Sequence, residues 1–108
     1  MSALRGEVGA EVSPAAARLA ARDTLLDLLG FIKQDIGGLD RVASVERLHG
    51  FVRSAREFTD HPEIVDGASD LLVALYGDAG RHARTATGAA QLPFGAAVQL
   101  DLVLRLSS

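Results

Sequence analysis

The sequence predicts an α+β fold, a two-layer sandwich with two helices packed on one face of a mixed sheet. Three observations carry this. Two segments repeat apolar residues at helical spacing, each with a start signal and a glycine stop. Three further segments are β-rich or alternate apolar with polar residues. Along the chain they run helix, strand, helix, strand, strand. At 108 residues the chain is one domain, residues 1–108. Folding at this mass buries roughly 65% of the extended-chain surface, which is enough for one core.

Each element has its own signals. Residues 1–12 carry Gly6 and Gly9 without a clear period, and read as a tail or the end of a strand. Ser13 can cap a helix and Pro14 suits its first position. Ala17, Ala21, Leu25, Leu28, Leu29, Ile32 and Ile36 then recur along one side, and Gly37-Gly38 stops the run. This predicts a helix over 14–36. After a link at 39–41, residues 42–53 are rich in Val, Leu and Phe and predict a strand. Leu48, Gly50 and Val52 fall on one face; Val45, Arg47, His49, Phe51 and Arg53 fall on the other. Asp60-His61-Pro62-Glu63 resembles a capping box, and Ile64, Ala68, Leu71, Leu72 and Leu75 form an apolar stripe. This predicts a helix over 62–76, closed by Gly77.

Residues 77–80 read as a loop, 83–90 as a strand of small residues and threonines, and 91–95 as a turn around Pro93. Residues 97–106 alternate cleanly. Val98, Leu100, Leu102, Leu104 and Leu106 point one way; Gln99, Asp101, Val103 and Arg105 point the other. The outer sheet face is thus half-polar and its edges are unsatisfied, which predicts pairing with other subunits.

Composition narrows the function. Hydrophobic residues make up 48% and the formal net charge is -3. That is too apolar and too weakly charged for a disordered chain. The acidic balance and an aromatic content of 5% give no platform for nucleic acid, so no nucleic-acid partner is expected. There is no cysteine, which excludes disulfides, thiolate metal sites and a cysteine nucleophile. His49, His61 and His82 form no close ligand pair, so no metal site is expected. No apolar run is long enough to span a membrane, and the start is not a signal peptide. The expectation is a soluble cytoplasmic protein.

Few residues suggest chemistry. Gly80-Arg81-His82-Ala83-Arg84-Thr85 is the densest polar cluster, placed where a loop enters a strand. Its two arginines can grip a carboxylate or phosphate in bidentate fashion; a solvated basic turn has the same composition. Asp101 can serve as a general base if it is buried beside a cation, but regular alternation by itself places it outside. His49 and His61 read most simply as a satisfied strand histidine and a first-turn residue. No nucleophile triad, phosphate loop or paired-carboxylate spacing is present.

The C-terminal third resembles a known family. Gly80-Arg81-His82-Ala83-Arg84-Thr85-Ala86-Thr87-Gly88-Ala89-Ala90-Gln91-Leu92-Pro93, followed by Ala97-Val98-Gln99-Leu100-Asp101, is similar to the signature of the RidA family, also called YjgF-like proteins. Upstream, Gly50-Phe51-Val52-Arg53-Ser54-Ala55-Arg56-Glu57-Phe58-Thr59-Asp60-His61-Pro62 resembles that family's strand-to-helix junction, and Asp66-Gly67-Ala68-Ser69-Asp70-Leu71-Leu72 its second helix. The resemblance runs through residues 6–106.

The resemblance implies a chorismate-mutase-like fold assembled as a homotrimer, with clefts between subunits. It implies hydrolytic deamination of reactive 2-imino or 2-enamino acids to 2-oxo acids and ammonia, with no cofactor. Arg84 falls on the family's key arginine and would grip the substrate carboxylate, with the backbone of Thr85 and Ala86 lining the same cleft. Gln99 stands where catalytic members carry a water-positioning glutamate. Glutamine can orient a water but cannot take its proton. Family members also carry strands before the first helix, and this chain is expected to lack them. Three functions follow from the resemblance: an imine/enamine deaminase with activity intact, reduced or lost, a non-catalytic trimer that binds small carboxylates, and, ranked last, an endoribonuclease.

Overall fold

The computed structural model describes residues 4–107. Its first helix, α1 (Pro14–Ile36), has the expected ends. Ser13 Oγ accepts the Ala16 N–H at 3.1 Å, Pro14 opens the first turn, and Gly37 closes the helix at φ 84°. That left-handed conformation suits glycine. Ala17, Ala21, Leu25 and Leu29 are buried as predicted, with Ala20 beside them.

The sheet is built around β1 (Val42–Arg53). Helix α2 (His61–Tyr76) carries the chain across to β2 (Ala83–Ala89), which pairs parallel with β1. Strand β3 (Val98–Leu106) pairs antiparallel on the other side. The order is β2-β1-β3, a mixed sheet with α1 and α2 layered on one face. The links at 39–41, 77–80 and 93–95 are short 3-10 turns. No helix among the described residues is long and apolar enough to cross a membrane.

The core lies between the layers, anchored by fully buried Leu25, Leu48, Ile64 and Leu72. Burying a side chain of this size contributes about 1.5–3 kcal/mol relative to leaving it exposed. The layers approach closely at two glycines. A Cβ on Gly50 of β1 would meet the Val65 side chain at 2.3 Å, and one on Gly67 of α2 would meet the Arg18 carbonyl of α1 at 2.1 Å.

Two details depart from expectation, and a third decides between two readings. Val45 is 2% exposed and belongs to the core, not to the His49 face. The β1–β3 register shifts between Val45 and Arg47. The irregularity turns Val45 and Leu48 both inward and Glu46 and Arg47 both outward, which simple alternation cannot do. Asp60 precedes α2 but its side chain does not cap it; its backbone, at φ -96° and ψ 45°, is not in the extended conformation a cap requires. Instead its carboxyl hydrogen-bonds that of Glu63 and holds the Glu63 pKa above the ordinary value. Of the two readings of the N-terminal segment, tail or strand end, the second holds from residue 4 on; residues 1–3 lie outside the described residues. Ala97 N–H donates to Leu4 O, Val8 N–H to Arg53 O, and Ala55 N–H to Val8 O. Val8 is fully buried. The segment therefore extends the sheet at the ends of β1 and β3.

Candidate functional site

The polar cluster at the start of β2 divides in two. Arg81 is exposed and, among the described residues, pairs with Asp78 in its own turn, at 3.3 Å. Among the described residues it therefore behaves as part of a solvated turn. Arg84 does not. It lies opposite Leu48 in the β1–β2 register, so its side chain leaves the sheet on the helix side. There its Nη1 donates to the Asp66 carboxylate and to the Pro62 carbonyl, at 3.3 Å. Both contacts use one nitrogen. The Nε and Nη2 edge of the guanidinium has no partner among the described residues. An arginine held on one side and open on the other is suited to take a carboxylate in bidentate fashion.

Ala86 shares the Arg84 side of the strand and lies opposite Gly50. Thr85 points the other way, onto the open face, opposite His49. Of the three residues expected at the carboxylate grip, the structure therefore groups the side chains of Arg84 and Ala86 and separates that of Thr85. β2 is an edge strand, so backbone along its outer side is available to a ligand or a second chain.

Gln99 lies elsewhere. It sits on β3 opposite Phe51, between buried Val98 and Leu100, and so belongs to the open face. It also borders an apolar groove of about 290 Å³ formed with Thr24, Leu28, Phe31 and Pro93. Within one chain β1 stands between Arg84 and Gln99, and the two leave opposite faces of the sheet.

The same strip of α2 and β2 holds a pair that sequence reasoning missed. Ser69 Oγ and His82 Nε2 are 2.8 Å apart, and His82 Nδ1 is 2.5 Å from the Gly80 carbonyl. A carbonyl can only accept, so Nδ1 carries hydrogen. In the neutral ring Nε2 is then bare and accepts from the Ser69 hydroxyl. Asp66 and Ser69 are three residues apart on α2; His82 and Arg84 are two apart along extended backbone. The four face one another in two rungs, Arg84 with Asp66 and His82 with Ser69. The available signal was this pair of spacings on two antiparallel neighbours joined by a tight turn.

The other histidines are satisfied differently. Arg47 donates to His49 Nδ1 at 3.3 Å. Nε2 of the neutral ring therefore donates to Thr87 Oγ1 at 3.1 Å, and the ring stacks on Phe51. His61 Nε2 meets Ser54 Oγ at 2.9 Å. Asp101 is exposed, as alternation predicts. Among the described residues no three His, Cys, Asp or Glu side chains gather as metal ligands would.

Comparison with known proteins agrees with the motifs. A family described as "YjgF/chorismate mutase-like, putative endoribonuclease" matches residues 2–106. Protein TCP17 of Trypanosoma cruzi is 41% identical over 106 residues, covering 97% of this chain and 66% of that protein. The crystal structure of Atu1372 from Agrobacterium tumefaciens, a protein of unknown function, superposes with a TM-score of 0.94 at 37% identity, covering 98% of this chain and 68% of that one. A Shewanella oneidensis structure named a "putative endoribonuclease" gives 0.92 at 31% identity, covering 96% and 69%. The chain thus spans about two thirds of the length of these relatives. With its signature residues, its two-layer fold and a match over nearly its whole length, the chain belongs to the YjgF/chorismate mutase-like family.

Proposed function

We propose that the protein hydrolyses reactive 2-imino and 2-enamino acids to 2-oxo acids and ammonia, in clefts between the subunits of a homotrimer. The open Nε and Nη2 edge of Arg84, on a guanidinium steadied through Nη1 by Asp66 and Pro62, is the observation that carries this reading. It binds the substrate carboxylate, with backbone at Thr85 and Ala86 beside it. The imine carbon is already electrophilic, so fixing it against a water supplies much of the catalysis. Gln99 orients that water. Because Arg84 and Gln99 leave opposite faces and opposite edges of one sheet, the two meet only if adjacent chains contribute one each. The half-polar open face and the unpaired sheet edges support such assembly.

A second reading keeps the carboxylate site and drops the chemistry: a trimer that binds small carboxylates. The amide of Gln99, which cannot accept water's proton, favours it. RNA cleavage has less support, since the net charge is -3 and aromatic residues are few.

The test generates 2-iminobutanoate or 2-aminoacrylate in situ and follows 2-oxo acid release. Wild type accelerates release and Arg84→Ala does not. A wild type without effect overturns the enzyme reading, and an active Arg84→Ala overturns the role of Arg84. Light scattering gives the assembly: a mass near 11.3 kDa rather than about three times that refutes the trimer.

A further inference from the structure

We propose that Ser69 and His82 form the proton relay of this site, supplying the base that Gln99 cannot be. The inference rests on the deaminase reading and adds a function for two residues outside the carboxylate grip.

The geometry of a relay is present. Gly80 O fixes the tautomer by taking the Nδ1 hydrogen at 2.5 Å, which aims the Nε2 lone pair at Ser69 Oγ, 2.8 Å away. A base oriented by a third group and joined to a hydroxyl is a unit built for moving a proton. The orienting carbonyl is itself held. Gly80 is buried, and a Cβ there would meet the Leu72 carbonyl at 2.3 Å, so the turn lies directly on the α2 backbone. The Ser69 hydroxyl, having donated to His82, keeps its oxygen lone pairs for an incoming water. Arg84 is two residues from His82, about 6.6 Å along the strand, and leaves on the same side. A small acid gripped by Arg84 therefore lies beside the relay.

The step balances. Water oxygen bonds to the carbon of the protonated imine, and the C=N π pair moves to nitrogen. Water gives a proton to Ser69 Oγ as the Ser69 proton passes to His82 Nε2. The neutral carbinolamine then takes that proton back on nitrogen, through Ser69. The C–N bond breaks as the hydroxyl oxygen forms the carbonyl, and the departing ammonia carries off the hydroxyl proton as ammonium. The products are the 2-oxo acid and ammonium, with Ser69 and His82 restored.

The experiment uses the same in situ imine assay on four proteins. Relative to wild type, His82→Ala lowers kcat about 100-fold or more with KM changed less than threefold. Added imidazole restores part of that kcat, and Ser69→Ala loses kcat in the same direction. Arg84→Ala instead acts through KM, raised so far that no acceleration is seen at the substrate levels of the release assay. A structural loss in His82→Ala is not rescued by imidazole, and that result overturns the relay. Wild-type kcat in His82→Ala, with Arg84→Ala impaired, overturns the relay and leaves the deaminase reading standing. An inactive wild type overturns both. An independent measurement needs no turnover: 15N NMR of the wild-type histidines shows that the neutral ring of His82 carries its hydrogen on Nδ1 and is bare at Nε2. The opposite tautomer overturns the relay whatever the activities.

Discussion

Two helical glycines give a sharp test of how α1 and α2 meet, because one substitution has opposite consequences at the two sites. Gly→Ala in a helix interior favours the helix by about 1 kcal/mol. At Gly30 on α1 an added Cβ meets nothing within 4 Å, so Gly30→Ala keeps that gain. At Gly67 the Cβ falls 2.1 Å from the Arg18 carbonyl oxygen, where ordinary contact begins near 3.4 Å. The helices must part by about 1.3 Å, and a backbone carbonyl cannot rotate away as a side chain can. Overpacking of this kind costs roughly 3 kcal/mol, leaving a net loss of about 2 kcal/mol after the helical gain. For a domain of this size that lowers Tm by about 8 °C, whereas Gly30→Ala raises it by about 4 °C. Thermal unfolding followed by circular dichroism reads both. A Gly67→Ala protein as stable as Gly30→Ala refutes the close crossing of α1 and α2.

Two further outcomes are expected. Gly50→Ala drives a Cβ into Val65, whose γ carbons lie 2.3 and 2.8 Å from it, and lowers stability by about 1–3 kcal/mol in urea titrations. Because the obstruction is a side chain, Val65→Ala in the same protein returns part of the loss, a coupling that a double-mutant cycle measures. The carboxylate of Glu11 accepts backbone N–H bonds from its own residue and from Glu7, which hold its pKa below the ordinary 4.5. A folded-state pKa below the unfolded one stabilises above the unfolded value and loses that contribution as pH falls. Glu11→Gln is therefore less stable than wild type at pH 7, and the difference shrinks as pH drops below about 4.5.

The elements were legible where local chemistry decides them. Ser13, Pro14 and Gly37 mark both ends of α1 because a cap, a fixed φ and a left-handed turn are properties of single residues. β3 was legible because its alternation is unbroken. The inward turn of Val45 was not, since a bulge exists only relative to the partner strand and leaves no mark in β1 itself. Asp60 shows the reverse failure. The residue types of a cap are present, but the backbone angles that make a cap come from how α2 is laid on the sheet. At the site, Arg84 could be singled out from its motif, yet its attachment to Asp66 and Pro62 needs the antiparallel return of β2 along α2. Ser69 was missed for the same reason: its spacing from Asp66 gains meaning only once His82 and Arg84 are laid against α2.

The positions of Arg84 and Gln99 admit a decisive experiment on the proposed intersubunit cleft. Adjacent strands are about 4.8 Å apart, so β2 and β3, on either side of β1, are roughly 10 Å apart, and the two side chains leave opposite faces. A small ligand at Arg84 would not reach Gln99 of its own chain. In a cyclic trimer each cleft would pair Arg84 of one chain with Gln99 of the next. Arg84→Ala and Gln99→Ala proteins are each inactive in that arrangement, because every cleft carries a lesion. Unfolded together in equal amounts and refolded, they mix at random. About a quarter of the clefts then receive both intact residues, one from each parent, and about a quarter of the wild-type activity returns. If Arg84 and Gln99 served one site within a single chain, every such site in the mixture would still carry one lesion and no activity would return. Complementation well above the parents establishes a cleft built by two chains; none refutes it.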